Sequence, residues 1–311
     1  MTYHTEQTLT HTYSTNNGYL DELAWAALFL HKATGEGPYL QTAETLYPAC
    51  CSAAYLAAPS RHANANANAN AKAAGKGTAT TAASAFTWDN KAPGVQLLLH
   101  NATGDARYAA DAASFLSAWT DRVPRTPGGL TYFAFAPLQY AASTSFLALV
   151  AAGQGINAAA NRRFAQTQLH YMLGLERAGA GGASPKKELV LQQPVVLAPE
   201  EGDKVWSNIT SPTVSPNAKQ SFMVGFGPKS PQSPHHRASS CQYQRGNATC
   251  SCSTQPNFFV LFGALVGGPL PVDSYADDCQ DFEANYVSLV GNAGFTSAVA
   301  GLKQLAMATK Q

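Results

Sequence analysis

The sequence is poor in charge. Lys, Arg, Asp and Glu make up 13% of its 311 residues and the net charge is +1, against roughly 25% charged residues in ordinary soluble domains. So neutral a chain is excluded as a strongly basic nucleic-acid binder, and 45% hydrophobic residues exclude a disordered tail. A membrane span is lacking too. The longest apolar run, Phe258 to Val272, holds Gly263, Gly267, Gly268, Pro269 and Pro271 and is too short for about 30 Å of hydrocarbon, so it is expected to be buried core. No Cys-x-x-Cys or His-x-x-x-His pair occurs, which removes the common zinc spacings; neither a metal nor a cofactor is expected. Nor does a basic start followed by an apolar core open the chain, so Met1-Thr2-Tyr3-His4 begins no signal peptide.

What is present points out of the cytosol. Asn101-Ala-Thr, Asn208-Ile-Thr and Asn247-Ala-Thr are sequons, which in a secreted protein accept glycans on surface loops. The six cysteines include adjacent Cys50 and Cys51 and a cluster of Cys241, Cys250 and Cys252. They read as disulfides or as unpaired thiols, disulfides being favoured in an oxidising compartment. A secreted, extracellular protein without its address peptide implies an N-terminal part that is missing.

Helical periodicity recurs along the chain. Leu20, Leu23, Ala24, Ala27 and Leu28 fall on one helical face, with Asp21 and Glu22 in the first turn, His31 and Lys32 near the last, and Gly35 as the stop. Tyr108, Ala112, Phe115, Leu116 and Trp119 form a second stripe; Ala165, Leu169, Met172 and Leu173 form a third, ended by Gly174. Weaker patterns cover about 38–57, 93–101, 143–153 and 293–307, for about seven helices in all. Residues 61–85, which include four Asn-Ala pairs, form a low-complexity insertion with nothing large to bury. Residues 176–220 form a second long irregular loop. From Ser221 to Val290 the helical period is lost while polar and aromatic residues are densest, and in a helical scaffold such loops carry function.

Several motifs, taken in order, resemble one family. Asp21-Glu22-Leu23-Ala24-Trp25-Ala26-Ala27 leads to His31-Lys32-Ala33-Thr34-Gly35. Trp88-Asp89-Asn90-Lys91, Thr126-Pro127-Gly128-Gly129-Leu130 and Tyr171-Met172-Leu173-Gly174 follow. Ser221-Phe222-Met223-Val224-Gly225-Phe226-Gly227-Pro228-Lys229 then runs through four residues into Pro234-His235-His236-Arg237. A last block spans Gly267-Gly268-Pro269, Tyr275-Ala276-Asp277 and Asn292-Ala293. The order and spacing resemble the family 9 glycoside hydrolases, mostly endo-1,4-β-glucanases. The resemblance implies an all-α (α/α)6 barrel of the six-hairpin glycosidase type, with residues 1–311 forming one incomplete catalytic domain of about its C-terminal half. It implies a β-1,4-glucan as partner, and His235 and Arg237 as residues that bind sugar hydroxyls at the cleavage point. Asp277 would face the same cleft, or else serve as an exposed loop aspartate or a cap. Trp88 is a cleft aromatic or a core residue. Tyr132, Phe133 and Phe135 stand where the family usually shows tryptophan, with Phe135 taken as the substrate contact; His236 is structural.

Two departures bear on chemistry. Tyr286 occupies the position of the family's general-acid glutamate, and Cys279 the position of its usual arginine. The family's water-activating aspartates lie upstream of anything matched here. Inverting hydrolysis needs a protonated carboxyl and an ionised carboxylate about 6.5–9.5 Å apart. A phenol with a reference pKa near ~10 is a poor substitute for a glutamate near ~4.3. Glu283, one turn away if that segment is helical, could in principle lend a carboxyl group, and Asp277 is a second substitute. The expectation is a cellulase-like protein that is inactive as this chain alone; the alternative is a non-catalytic carbohydrate-binding or extracellular-matrix glycoprotein. Half a barrel would also leave apolar helix faces against water.

Overall fold

The computed structural model describes residues 18–56, 85–134, 136–175, 220–227, 229–244, 247–252 and 256–308. The low-complexity tract up to residue 84, residues 176–219, Phe135 and Asn208 lie outside them.

Three helical hairpins and one further long helix carry the fold. The first pairs α1 (Leu20–Thr34) with α2 (Gly37–Cys50). Its turn is made by Gly35, whose φ of 76° suits a residue without a Cβ and whose N–H donates to His31 O at 2.8 Å. After the short α3 (Ala53–Leu56), α4 (Ala92–Thr103) and α5 (Ala106–Ser117) form the second hairpin. Asp105 caps α5 by accepting the Arg107 N–H at 2.9 Å, and a π-helical turn, Ala118–Arg122, ends it. The third pairs α6 (Pro137–Gly153) with α7 (Ala158–Met172). The single-turn α8 (Arg237–Ser240), the two-stranded hairpin β1 (Cys241–Gln244) and β2 (Asn247–Cys250), the single-turn α9 (Phe282–Asn285) and the long α10 (Leu289–Ala308) follow. Adjacent packing runs α1–α4–α6–α10, with α2, α5 and α7 behind their hairpin partners.

The core has two parts. Ala24, Leu28, Ala43, Tyr47, Val95, Leu99 and Tyr108 close the space between α1, α2 and α4. Trp119, Leu138, Leu147, Phe164, Leu169 and Met172 form the larger part, joined by Phe222, Val224, Leu265 and Val266 from the loops and Phe295 and Ala298 from α10. Each such large side chain contributes about 1.5–3 kcal/mol by leaving water.

All three strong stripes fall on helices. The weaker ones are longer than expected at their starts, since α6 begins at Pro137 and α10 at Leu289. The reason for α6 is burial on several sides, against α4, α7 and α10, which erases a one-sided period. Leu23 is exposed rather than part of the α1 stripe, and Asp21 is buried in its stead; its carboxylate accepts the Lys91 N–H at 2.6 Å.

The run Phe258–Val272 is not buried core. Phe258, Phe259, Val260, Phe262, Leu270 and Val272 are exposed, Val272 by 70%. Only Leu265 to Pro269 are fully covered, pinned where Val266 N–H donates to Phe222 O and Leu138 N–H to Gly267 O, both at 3.1 Å. A loop has no second face to turn inward, so only the length in contact with α6 and α9 is hidden. Gly267 is required there because a Cβ would stand 2.0 Å from Glu283 O.

All six cysteines are paired, as Cys50–Cys51, Cys241–Cys250 and Cys252–Cys279. No helix among the described residues is long and apolar enough to cross a membrane. Leu23, Phe29 and Leu30 of α1 and Leu289 and Val290 of α10 lie exposed, Leu289 by 90%.

Candidate active site

The loops between residues 221 and 286 lie over α6, α7 and α10 and, apart from α8, the β1–β2 hairpin and α9, are held by single polar contacts. His235 is their centre. Its N–H donates to Asn285 O at 2.8 Å, which sets His235 beside Tyr286 in a parallel bridge. His235 and Tyr286, 51 residues apart in sequence, are thus neighbours. The His235 ring stands edge-on to Phe282 with centroids 6.3 Å apart. Its Nδ1 is 2.6 Å from Cys279 O; a carbonyl only accepts, so Nδ1 carries the hydrogen. His235 and Arg237 are both exposed, and Tyr286 is exposed by 41%. His236 is structural, since its Nδ1 accepts the Ala238 N–H at 3.1 Å and caps α8.

Asp277 has both oxygens engaged, accepting the backbone N–H groups of Gln232 at 2.7 Å and Ser233 at 2.9 Å. It staples the loop that carries His235. Asn285, fully buried, is a hub that sequence reasoning missed. Its Oδ1 accepts the Tyr275 hydroxyl at 2.5 Å and its Nδ2 donates to Ala276 O at 2.8 Å. Burial, with the Asp277 and Asp281 charges behind it, pushes the Tyr275 phenol up, so it remains a donor at all ordinary pH. Asp273 was missed as well. It accepts the Tyr171 hydroxyl at 2.6 Å and the Gly128 N–H, tying the Thr126–Leu130 loop to the site. Buried Gln168 holds that loop's other side, accepting from Thr131 N–H at 2.8 Å and donating to Gly129 O at 3.1 Å. Both Asp273 and Gln168 flank motifs legible in the sequence, but nothing in their spacing declares these partners.

Carboxylates near Tyr286 are therefore mostly occupied. Asp278 accepts the Gln280 N–H and Asp281 the Ala284 N–H. Glu283, on α9, is exposed and raises the Tyr132 phenol, second to burial, so the Tyr132 segment lies within its field. His235, Cys252 and Cys279 bring one imidazole nitrogen and two sulfurs within 4.8 Å of one another, but the disulfide consumes both sulfurs.

Trp88 sits on the loop before α4, exposed by 43%, so the core alternative fails. The Lys91 ammonium holds that loop by donating to Thr87 O at 2.6 Å and Trp88 O at 2.5 Å. Burial lowers the Lys91 pKa, while Glu22, Asp21 and Asp89 oppose the shift. Glu22 is pushed up to about 8, first by burial and then by its neighbour Asp21. Of the sequons, Asn101 lies exposed on the last turn of α4 rather than on a loop, and Asn247 opens β2.

Residues 1–179 and 216–299 match Glycosyl hydrolase family 9. The chain belongs to this family. Over 300 residues it is 33% identical to Endoglucanase B of Cellulomonas fimi, a match covering 93% of this chain and 22% of that protein. An endoglucanase of Dictyostelium discoideum is 30% identical, with 93% and 31% covered. The endoglucanase structure from the termite Nasutitermes takasagoensis superposes with a TM-score of 0.68 at 31% identity, covering 98% of this chain and 55% of that one. Endoglucanase CelQ from Clostridium thermocellum, solved with cellotriose, gives 0.65 at 29% identity, with 96% and 40% covered. The fold is accordingly the all-α (α/α)6 barrel type of these glycoside hydrolases. The chain spans about a fifth to a third of the length of those two curated relatives and about half of the termite enzyme.

Proposed function

We propose that this family 9 chain binds β-1,4-glucan through His235, Arg237 and Trp88 and does not hydrolyse it unaided. One observation carries the reading: His235 is paired by backbone to the Asn285–Tyr286 segment, so a sugar held by the histidine meets a phenol where the family resemblance calls for a carboxylic acid. General acid and base help is each typically worth about 10²- to 10⁴-fold, and Tyr286 is poorly matched to the acid's part. Asp277 acts as a positioning residue because its oxygens are taken by the loop backbone. CelQ was solved with cellotriose and with cellotetraose, which supports cello-oligosaccharides as the ligand class.

The family match over residues 1–179 and 216–299 supports reading the chain as part of one catalytic domain. The exposed apolar faces of α1 and α10 support coverage by further barrel helices, on whichever polypeptide carries them. Three disulfides together with the sequons at Asn101, Asn208 and Asn247 support secretion and glycosylation. Tyr286 itself favours the second reading, a non-catalytic carbohydrate-binding or matrix glycoprotein.

The test is calorimetric titration with cellotetraose beside reducing-sugar release from a soluble β-1,4-glucan. Binding without release is expected, for the chain and for Tyr286→Glu alone, because the base is still lacking. Release by the unmodified chain would overturn the inactive reading and make Glu283 the acid to test. Absence of binding would overturn the glucan reading. Activity that returns only when Tyr286→Glu is joined to the remaining barrel helices would favour a decayed hydrolase over a dedicated binding protein.

A further inference from the structure

The loops around His235 lack the long helices that hold the rest of the molecule, yet His235 is held by three contacts, one to its backbone and two to its ring. Asn285 O takes its backbone N–H, Phe282 stands against the ring, and Cys279 O takes the Nδ1 hydrogen at 2.6 Å. The third contact decides the chemistry. A neutral imidazole with its hydrogen on Nδ1 presents Nε2 as an acceptor, able to receive a sugar hydroxyl, whereas an imidazole free in water favours the opposite tautomer.

What holds the Cys279 carbonyl is covalent. Cys279 is buried and bonded to Cys252, whose Sγ is itself 3.8 Å from His235 Nδ1. Beside the bridge, Gln280 Nε2 donates to Cys252 O at 3.0 Å, so the two segments are cross-linked twice at one point. The second bridge nearby, Cys241–Cys250, instead spans the facing residues of β1 and β2, where the ladder already fixes the register.

Resting on the reading of His235 as a sugar-binding residue, we propose that the Cys252–Cys279 disulfide is the positioning element of the site: it fixes the Cys279 carbonyl that locks His235 in the Nδ1–H tautomer and leaves Nε2 free to accept from a glucan hydroxyl. Cys252 and Cys279 touch no sugar; they act through the histidine. The role arises at Cys279, where the family resemblance implies an arginine.

The test is long-range ¹H–¹⁵N correlation of the His235 ring with the neutral imidazole, together with cellotetraose titration. The native chain is expected to show a protonated Nδ1 and an unprotonated Nε2. Cys252→Ser with Cys279→Ser is expected to mix the tautomers and weaken cellotetraose binding by about ten-fold, the worth of one hydrogen bond. Cys241→Ser with Cys250→Ser is expected to leave both readouts unchanged. A native ring protonated on Nε2, or a double variant that keeps the native tautomer and affinity, would overturn the proposal. Should the double variant not fold, mild reduction of the native chain decides: loss of affinity must follow opening of this bridge in mass maps, and loss that follows another bridge overturns the idea. If the native chain binds no cellotetraose, the glucan reading fails, while the tautomer comparison still decides this inference.

Discussion

The hairpin helices and the loops of residues 221–286 are stabilised by different means. In the helices, buried side chains such as Leu138, Leu169 and Trp119 share the work among many equivalent contacts, and loss of one leaves the rest. In the loops, single groups hold whole segments: Asp277 the His235 loop, Asn285 the Tyr275–Ala276 turn, Asp273 the Thr126–Leu130 loop. Stability and site geometry are therefore separable, the first residing in apolar area and the second in a few hydrogen bonds.

The largest stability effect is expected from the helices. Leu169→Ala, at a fully buried position, should cost about 2–5 kcal/mol in urea unfolding, while glucan affinity of the protein still folded stays near native. A matching loss of affinity would erase the distinction between the regions. Next comes Asp277→Ala, which leaves the part-buried Ser233 N–H unpaired and returns the exposed Gln232 N–H to water; it should cost about 1–2 kcal/mol but weaken cellotetraose binding ten-fold or more, and unchanged binding would show that the staple does not shape the site. Tyr275→Phe, removing one donor from Asn285, should cost about 1 kcal/mol and broaden the His235 and Tyr286 resonances without moving those of α7.

A further effect, read against pH, concerns Glu22. Its folded pKa, about 8, lies above the ordinary 4.5, so the fold prefers the neutral acid. Stability from this group is full below pH 4.5 and falls as pH rises toward 8. Glu22→Gln should flatten the decline in Tm over that window; an unaltered slope would assign the titration elsewhere.

The helices were legible because one-sided burial writes a 3.6-residue period, as in Tyr108, Ala112 and Phe115. Where burial is many-sided, as along α6, the period fades and the start was read six residues late. Apolarity misled at Phe258–Val272, since a hydrophobic composition does not say which residues of a loop meet a neighbour. The motif around His235 was visible, and so was Tyr286, where the family resemblance implies an acid. Their adjacency through Asn285, the staple at Asp277 and the Cys252–Cys279 pairing were not, because each joins segments whose meeting depends on the fold as a whole.

The Cys252–Cys279 bridge closes a sequence separation of 27 residues in a region almost free of helix. For anyone producing the protein, this separates two kinds of quality control. A preparation made in a reducing cytosol can keep its long helices and a native far-ultraviolet circular dichroism spectrum while its histidine loop is unclamped. Thiol titration, rather than helical content, is the certificate that such a sample has its site assembled.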